Sequence, residues 1–187
     1  MTPLVHFPQV VGVSDCPFID KIQDKYKKII SKYEYDHNGF CKEAPHSNKK
    51  FSLLNKWIDG EVDEFIKLHE YEDKFVCKDS WIYDYQIASN QPYHNHPGYV
   101  VSTVFFLEGY EDDSGIIFTN PVADMKNALG EQAAKKPVKT NIWTNRIITH
   151  PPKSGRLFIW RSYLMHGVKN KVKDCKRIIF AHNYDKK

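Results

Sequence analysis

Two histidines stand one residue apart in the stretch SNQPYHNHPGYVVSTVFFLEG, at His94 and His96, just ahead of a run of β-branched and aromatic residues. In an extended strand, residues i and i+2 leave the backbone on the same face, so an H-x-H pair aims two imidazoles at one point. Imidazole is the commonest side-chain metal ligand. A third ligand must come from elsewhere, and GRLFIWRSYLMHGVKN offers His166 at the end of another strand-like segment. Three protein ligands with the remaining positions open suit iron(II) chemistry, in which oxygen or a second small molecule takes the vacant positions.

The chain has nine histidines, so some pairs arise by chance, and most single histidines are surface or satisfied core residues. His6, His37, His46 and His69 fall in loops or on helices without partners and are assigned no role. His150, ahead of Pro151 and Pro152, and His182, inside the last strand, are reserves. The letters HNH at 94–96 do not make the nuclease motif of that name, whose residues are dispersed over a ββα-metal unit.

Around these residues, 187 positions suffice for one domain, which at this size buries about 70% of the surface of its unfolded chain. No hydrophobic run approaches the ~20 residues of a membrane helix, and no apolar signal segment opens the chain, so a soluble, intracellular protein is expected. Lys and Arg exceed Asp and Glu by only 27 to 23, too little to call for a polyanionic partner. The local cluster Lys169, Lys171, Lys173, Lys176 lacks interleaved aromatics, which argues for a solvated turn rather than a nucleic-acid surface. Cys16, Cys41, Cys77 and Cys175 are widely spaced, with no C-x-x-C pair, and read as reduced thiols.

An extended LVHFPQVVGV opens the chain. In DCPFIDKIQDKYKKIISKYEYD, Phe18, Ile22, Tyr26, Ile29, Ile30 and Tyr33 recur at helical spacing, with Asp15 as the expected N-cap and Pro17 in the first turn. A second helix is expected from about Phe51 to His69, with Leu54, Trp57, Ile58, Phe65 and Ile66 inward and an interruption near Glu61 to Glu64. From Lys78 onward the pattern is that of strands, near 80–88, 99–107, 115–119, 155–160 and 177–184. The long connection 120–150 is read as a lid or insertion, since connections beyond ~15 residues in a compact domain are usually functional. Helices followed by strands give an α+β, mainly β class, with helices packed on one face of an antiparallel sheet or sandwich.

In this order the segments WIYDYQ, YHNHPG, STVFFLEGYEDDSGIIFTNP, PPKSGRLFIWRSYLMHGV and KRIIFAHN resemble the iron(II)- and 2-oxoglutarate-dependent oxygenases of the prolyl 4-hydroxylase type, nearest to their small bacterial and bacteriophage branch. The resemblance covers roughly residues 80 to 185 and rests on the order of five motifs, none decisive alone. It implies a double-stranded β-helix, or jelly-roll, core at 78–187 with residues 1–77 as helical support, the whole a single domain. It implies Fe(II) and 2-oxoglutarate as cofactors, and release of succinate and CO2 as a substrate is hydroxylated. It also implies that His94, His96 and His166 are the iron ligands and that Arg177, eleven positions after His166, pairs with the far carboxylate of 2-oxoglutarate. A planar guanidinium suits that role because it grips a carboxylate with two parallel hydrogen bonds and stays charged when buried.

Tyr85, Ser102 and Asn183 take positions where such sequences place groups near the cosubstrate, although strand alternation lets only one of Ser102 and Thr103 point inward. Tyr85 reads equally well as a core tyrosine with a satisfied hydroxyl. Trp143 and Arg146, in the 120–150 connection, are candidates for the substrate side. The departure from the superfamily is His96, where a carboxylate is usual; three neutral imidazoles would leave the metal its full +2 charge. Were His96 turned away, Asp112 or Asp113 would be the carboxylates at hand. A cupin-like metal dioxygenase or isomerase also uses H-x-H and a distal His, but PGYVVS lacks the Glu that cupins place after the pair. A non-enzymatic viral or bacterial binding module is the remaining alternative. The expected partners are the small-molecule cosubstrate and a peptide or small-molecule prime substrate, with no membrane and no nucleic acid, in the cytoplasm of a bacterial or phage-infected cell.

Overall fold

The computed structural model describes residues 9–85, 90–122, 145–169 and 175–187. Among these, strand β1 (Val11–Asp15) precedes helix α1 (Ile19–Ile30), the short strand β2 (Phe40–Cys41) and helix α2 (Ser52–Lys67). Eight strands follow: β3 (Phe75–Asp84), β4 (Gln91–His94), β5 (Val101–Glu108), β6 (Ile116–Thr119), β7 (Ile147–His150), β8 (Arg156–Arg161), β9 (His166–Val168) and β10 (Ile178–Lys186). They form two antiparallel sheets, a larger one in the order β1-β8-β5-β10-β3-β2 and a smaller one in the order β4-β9-β6-β7. The architecture is the expected double-stranded β-helix with helices on one sheet.

The two cores explain why the sequence reads as it does. Ile22, Tyr26 and Ile30 of α1, with Leu54, Ile58, Val62, Phe65 and Ile66 of α2, pack on Val101, Phe105, Leu157, Ile159 and Phe180 of the large sheet. On the opposite face Val104, Phe106, Phe158, Trp160, Ile179 and Ala181 meet Ile116, Phe118 and Val168 of the small sheet. Every residue of β5 is therefore buried, and its sequence VSTVFFLE is a continuous run rather than an apolar-polar alternation, as expected for a strand covered on both faces.

Several expectations are corrected. Asp15 is not the cap of α1; that position belongs to Phe18, which makes no side-chain capping bond. Asp15 ends β1 instead, where Arg156 (3.0 Å) and Lys153 (2.8 Å) bind its carboxylate and hold its pKa down to about 2. Helix α2 runs through 61–64 unbroken, because Val62 is seated in the core beside Phe65 and Ile66. Strand β7 lies inside the connection 120–150, paired along its length with β6. The rest of that connection, 123–144 with Trp143, and the lysines at 171 and 173 lie outside the described residues. No helix among the described residues is long and apolar enough to cross a membrane.

His182 sits in β10 opposite Thr103, whose hydroxyl is 3.4 Å from its Nδ1, while its Nε2 has no partner among the described residues. Burial pushes its pKa from 6.5 down to about 3, with His46 adding to the effect. Below pH 6.5 the unfolded chain binds a proton at this site that the folded chain does not, so stability falls as pH drops from 6.5 toward 3. A His182→Leu variant should lose about one proton of uptake on unfolding. Urea midpoints measured from pH 7 to pH 4.5 would then decline less steeply than in the parent, and an unchanged slope would show that His182 does not titrate on unfolding.

Candidate metal centre

His94 closes β4 and is the direct antiparallel partner of His166, the first residue of β9. Register thus sets their rings 4.3 Å apart, centroid to centroid. His96 lies beyond the end of β4, so strand alternation does not aim it. Its backbone N–H donates to Ser162 O at 3.0 Å, and its own carbonyl accepts from Tyr99 N, which folds the HPGY turn and swings the ring back over the pair. The three imidazoles offer nitrogen atoms that all lie within 4.8 Å of one another.

The outer nitrogens are tied down. His94 Nδ1 is 2.8 Å from Pro92 O, His166 Nδ1 is 2.9 Å from Leu164 O, and His96 Nδ1 is 3.4 Å from Asn183 Nδ2. A ring whose Nδ1–H donates to a carbonyl presents a bare Nε2 lone pair, the form a metal requires. The Nε2 atoms of His96 and His166 are 3.2 Å apart. Two nitrogens each ~2.1 Å from one ion are separated by about 3.0 to 3.4 Å, depending on the angle between them, so the spacing fits a shared metal. Burial lowers His96 to about 4 and His166 to about 3, which keeps both rings neutral at physiological pH without the help of a metal. No carboxylate joins the cluster among the described residues. Asp113, the alternative carboxylate, is committed elsewhere as the buried partner of Arg177.

The cluster lines a cavity whose walls also include Trp81, Tyr83, Tyr85, Trp160, Ile179 and Asn183. Beyond Tyr85 stands Arg177, with its guanidinium carbon 4.4 Å from the Tyr85 ring centre. Arg177 is wholly buried. Its Nη1 donates to Ser114 O and to Asp113 Oδ2 (3.4 Å), and its Nη2 donates to Lys169 O at 3.1 Å. Its Nε is enclosed and has no partner among the described residues. Tyr85 is 2% exposed, stacked on Tyr83 at 4.9 Å, and burial raises its pKa.

Ser102 lies on the side of β5 that faces the small sheet, but its hydroxyl is taken by Ser162 Oγ and Asn183 Oδ1, each at 2.8 Å. Thr103 turns to His182. Asn183 reaches the cavity wall and His96 together. Arg146 is exposed at the start of β7, where its carbonyl accepts from Asn120 N at 2.8 Å. Sequence reasoning missed Ser162, whose signal was its place in WRSYLMH between the buried Trp160 and His166.

A family model described as "Putative 2OG-Fe(II) oxygenase" matches residues 79–183, more than half of the chain. The chain belongs to the 2OG-Fe(II) oxygenase family. Its fold is that of solved oxygenases at low identity. A 2OG-Fe(II) oxygenase-family oxidoreductase from Burkholderia pseudomallei aligns with TM-score 0.63 and 12% identity over 94% of this chain and 84% of that one. A prolyl-4-hydroxylase from Pseudomonas putida aligns with TM-score 0.63 and 11% identity over 96% and 94%. HygX from Streptomyces hygroscopicus, with nickel, 2-oxoglutarate and hygromycin B bound, aligns with TM-score 0.62 and 13% identity over 95% and 83%. No curated protein sequence matches significantly. The chain is thus an oxidoreductase of the iron(II)- and 2-oxoglutarate-dependent kind, with a histidine cluster suited to the metal.

Close approach of β9 to β4 is a precondition of the cluster. A Cβ at Gly167 would stand 2.8 Å from Gln91 O and 3.3 Å from the Tyr93 ring, so only glycine lets His166 come level with His94. Gly167→Ala should retain the secondary structure seen by circular dichroism yet weaken cobalt(II) binding by about tenfold or more. Unchanged affinity in a spectroscopic titration would show that the strand spacing is not limiting.

Proposed function

We propose that His94, His96 and His166 hold iron(II), that Arg177 and Tyr85 seat the far carboxylate of 2-oxoglutarate, and that the enzyme hydroxylates a peptide side chain or small molecule, releasing succinate and CO2. The observation that carries this reading is the enclosed Nε–H of Arg177, whose guanidinium lies over the ring of Tyr85, a residue of the cavity wall that also includes the three histidines. Leaving a buried charged donor unpaired costs about 1–3 kcal/mol or more, and a carboxylate is the group that removes the cost while using the planar donor edge.

Distances along the strands support the pairing. Lys169, whose carbonyl accepts from Arg177, is three residues beyond His166, a span of roughly 10 Å. That matches a five-carbon dicarboxylate whose other end sits against the histidine cluster. When bound, iron(II) and 2-oxoglutarate supply the oxidative chemistry. The protein's share is positional: the imidazoles orient through Pro92 O, Leu164 O and Asn183, Tyr85 shields the guanidinium, and Trp81 and Trp160 wall the cavity. Arg146, exposed beside β7, is proposed for the substrate side.

Protein reconstituted with iron(II) and supplied with 2-oxoglutarate should release succinate, and chelation should abolish the release. In Arg177→Gln the KM for 2-oxoglutarate should rise by about 10- to 100-fold, the loss of one charge-assisted pair. Succinate release that ignores both iron and Arg177 would sink the assignment.

A further inference from the structure

Trp160 belongs to the wall of the cavity that the three histidines line, and it is wholly buried. Strand β8 turns it toward the small sheet, where its ring meets Phe118 edge-on at 5.2 Å and His166 at 4.7 Å. Its Nε1 is enclosed and has no hydrogen-bond partner among the described residues. An indole nitrogen can only donate, and a buried tryptophan usually finds an acceptor for it. Phenylalanine would supply an aromatic ring here without carrying a donor into the core, so packing alone does not call for the indole.

Register places this residue at the histidine level of the sheet. Trp160 is opposite Ser102 in the β5–β8 pair, and Ser102 is opposite Asn183 in the β5–β10 pair, so the three form one row across the large sheet. Asn183 lies beside His96 and Trp160 beside His166. Arg177 stands just ahead of β10, well before Asn183 on that strand. Val104, Ile116, Val168, Ile179 and Ala181 of the same wall are apolar and offer a ligand no side-chain donor. The partly exposed members of the wall are Trp81, Tyr83, Gln91, His94 and His96, which puts the mouth on their side. A ligand group that reaches Trp160 is therefore one that the fold encloses.

We propose that the indole N–H of Trp160 binds the near carboxylate of 2-oxoglutarate, the end that sits against the histidines. The inference rests on the function proposed above: with Arg177 and Tyr85 holding the far carboxylate, the near end of this five-carbon molecule is the part that falls at the row of Trp160. A carboxylate suits the site because it brings acceptor lone pairs to a donor that cannot titrate, and a hydrogen bond to an ionised acceptor is stronger than one between neutral groups. The prime substrate enters past Trp81, Tyr83 and Gln91 and makes no use of this donor. Trp160 is in this way a cosubstrate-binding residue at the opposite end of the molecule from Arg177.

The test uses full-length protein labelled with 15N-tryptophan and loaded with zinc(II), a redox-inert ion that permits binding without turnover. The chain has four tryptophans, and replacing each in turn by phenylalanine assigns the indole signals. Adding 2-oxoglutarate should move the Trp160 indole proton downfield, the direction of hydrogen-bond formation. 4-Oxopentanoate, which keeps the keto group and the far carboxylate but carries a methyl group in place of the near carboxylate, should leave that signal where it was. By calorimetry, Trp160→Phe should bind 2-oxoglutarate about 10- to 100-fold more weakly, with zinc affinity at the wild-type value. Wild-type affinity for 2-oxoglutarate in Trp160→Phe, an equal loss of zinc affinity, an unmoved Trp160 signal, or the same shift with 4-oxopentanoate overturns this inference and leaves the proposed function standing. A zinc-loaded wild type that does not bind 2-oxoglutarate overturns the proposed function and this inference with it.

Discussion

Strands β5 and β10 are covered on both faces, by helices on one side and by the small sheet on the other, and much of the molecule's chemistry depends on that constraint. A polar side chain on such a strand has no water to turn to, so it must find a partner or carry an energetic cost. The polar residues of β5 and β10 answer in register: Ser102 with Asn183 toward the small sheet, and Thr103 with His182 toward the helices. At the end of β10 the same pressure acts on Arg177, whose charge is met by Asp113 and by two backbone carbonyls.

Charge is balanced differently here from a site with a carboxylate ligand. The His96 and His166 imidazoles are held neutral by burial, and Arg177 with Asp113 forms an ion pair of no net charge, so these groups contribute little net charge of their own. Under the proposed function, the +2 of the metal is met by the dianionic cosubstrate itself. The affinity of the metal for the pocket then depends strongly on the cosubstrate, because no carboxylate among the described residues joins the histidine cluster.

The fold was legible to the extent that one element buries one face. Helices α1 and α2 bury the apolar stripes that their spacing announces, and β6, β8 and β10 lie where short apolar runs are bounded by Gly, Pro, Asp and Asn. Strands β4, β7 and β9 were harder to read: they have only three or four residues each and belong to the small sheet, where Ile147 and Ile148 remain exposed. Asp15 looked like a cap because it precedes a helix, yet two cations from the β8 end of the fold, distant in sequence, claimed its carboxylate. Within the site, the H-x-H spacing drew the eye to the right residues for an incomplete reason. His94 is placed by strand pairing, whereas His96 is placed by a turn and a backbone bond to Ser162.

The sequence by itself determined the types of group available: three histidines, an arginine eleven residues after the last of them, and motifs in an order that resembles the oxygenases. These survive without a structure because ligand chemistry is a property of side chains and motif order is a property of the chain. Tertiary structure alone decided which nitrogen of each ring faces inward, that Asp113 serves Arg177 rather than the cluster, and that Ser102 and Asn183 brace His96. The last two outcomes depend on partners 60 to 87 residues apart, and no local pattern in the chain records such a distance.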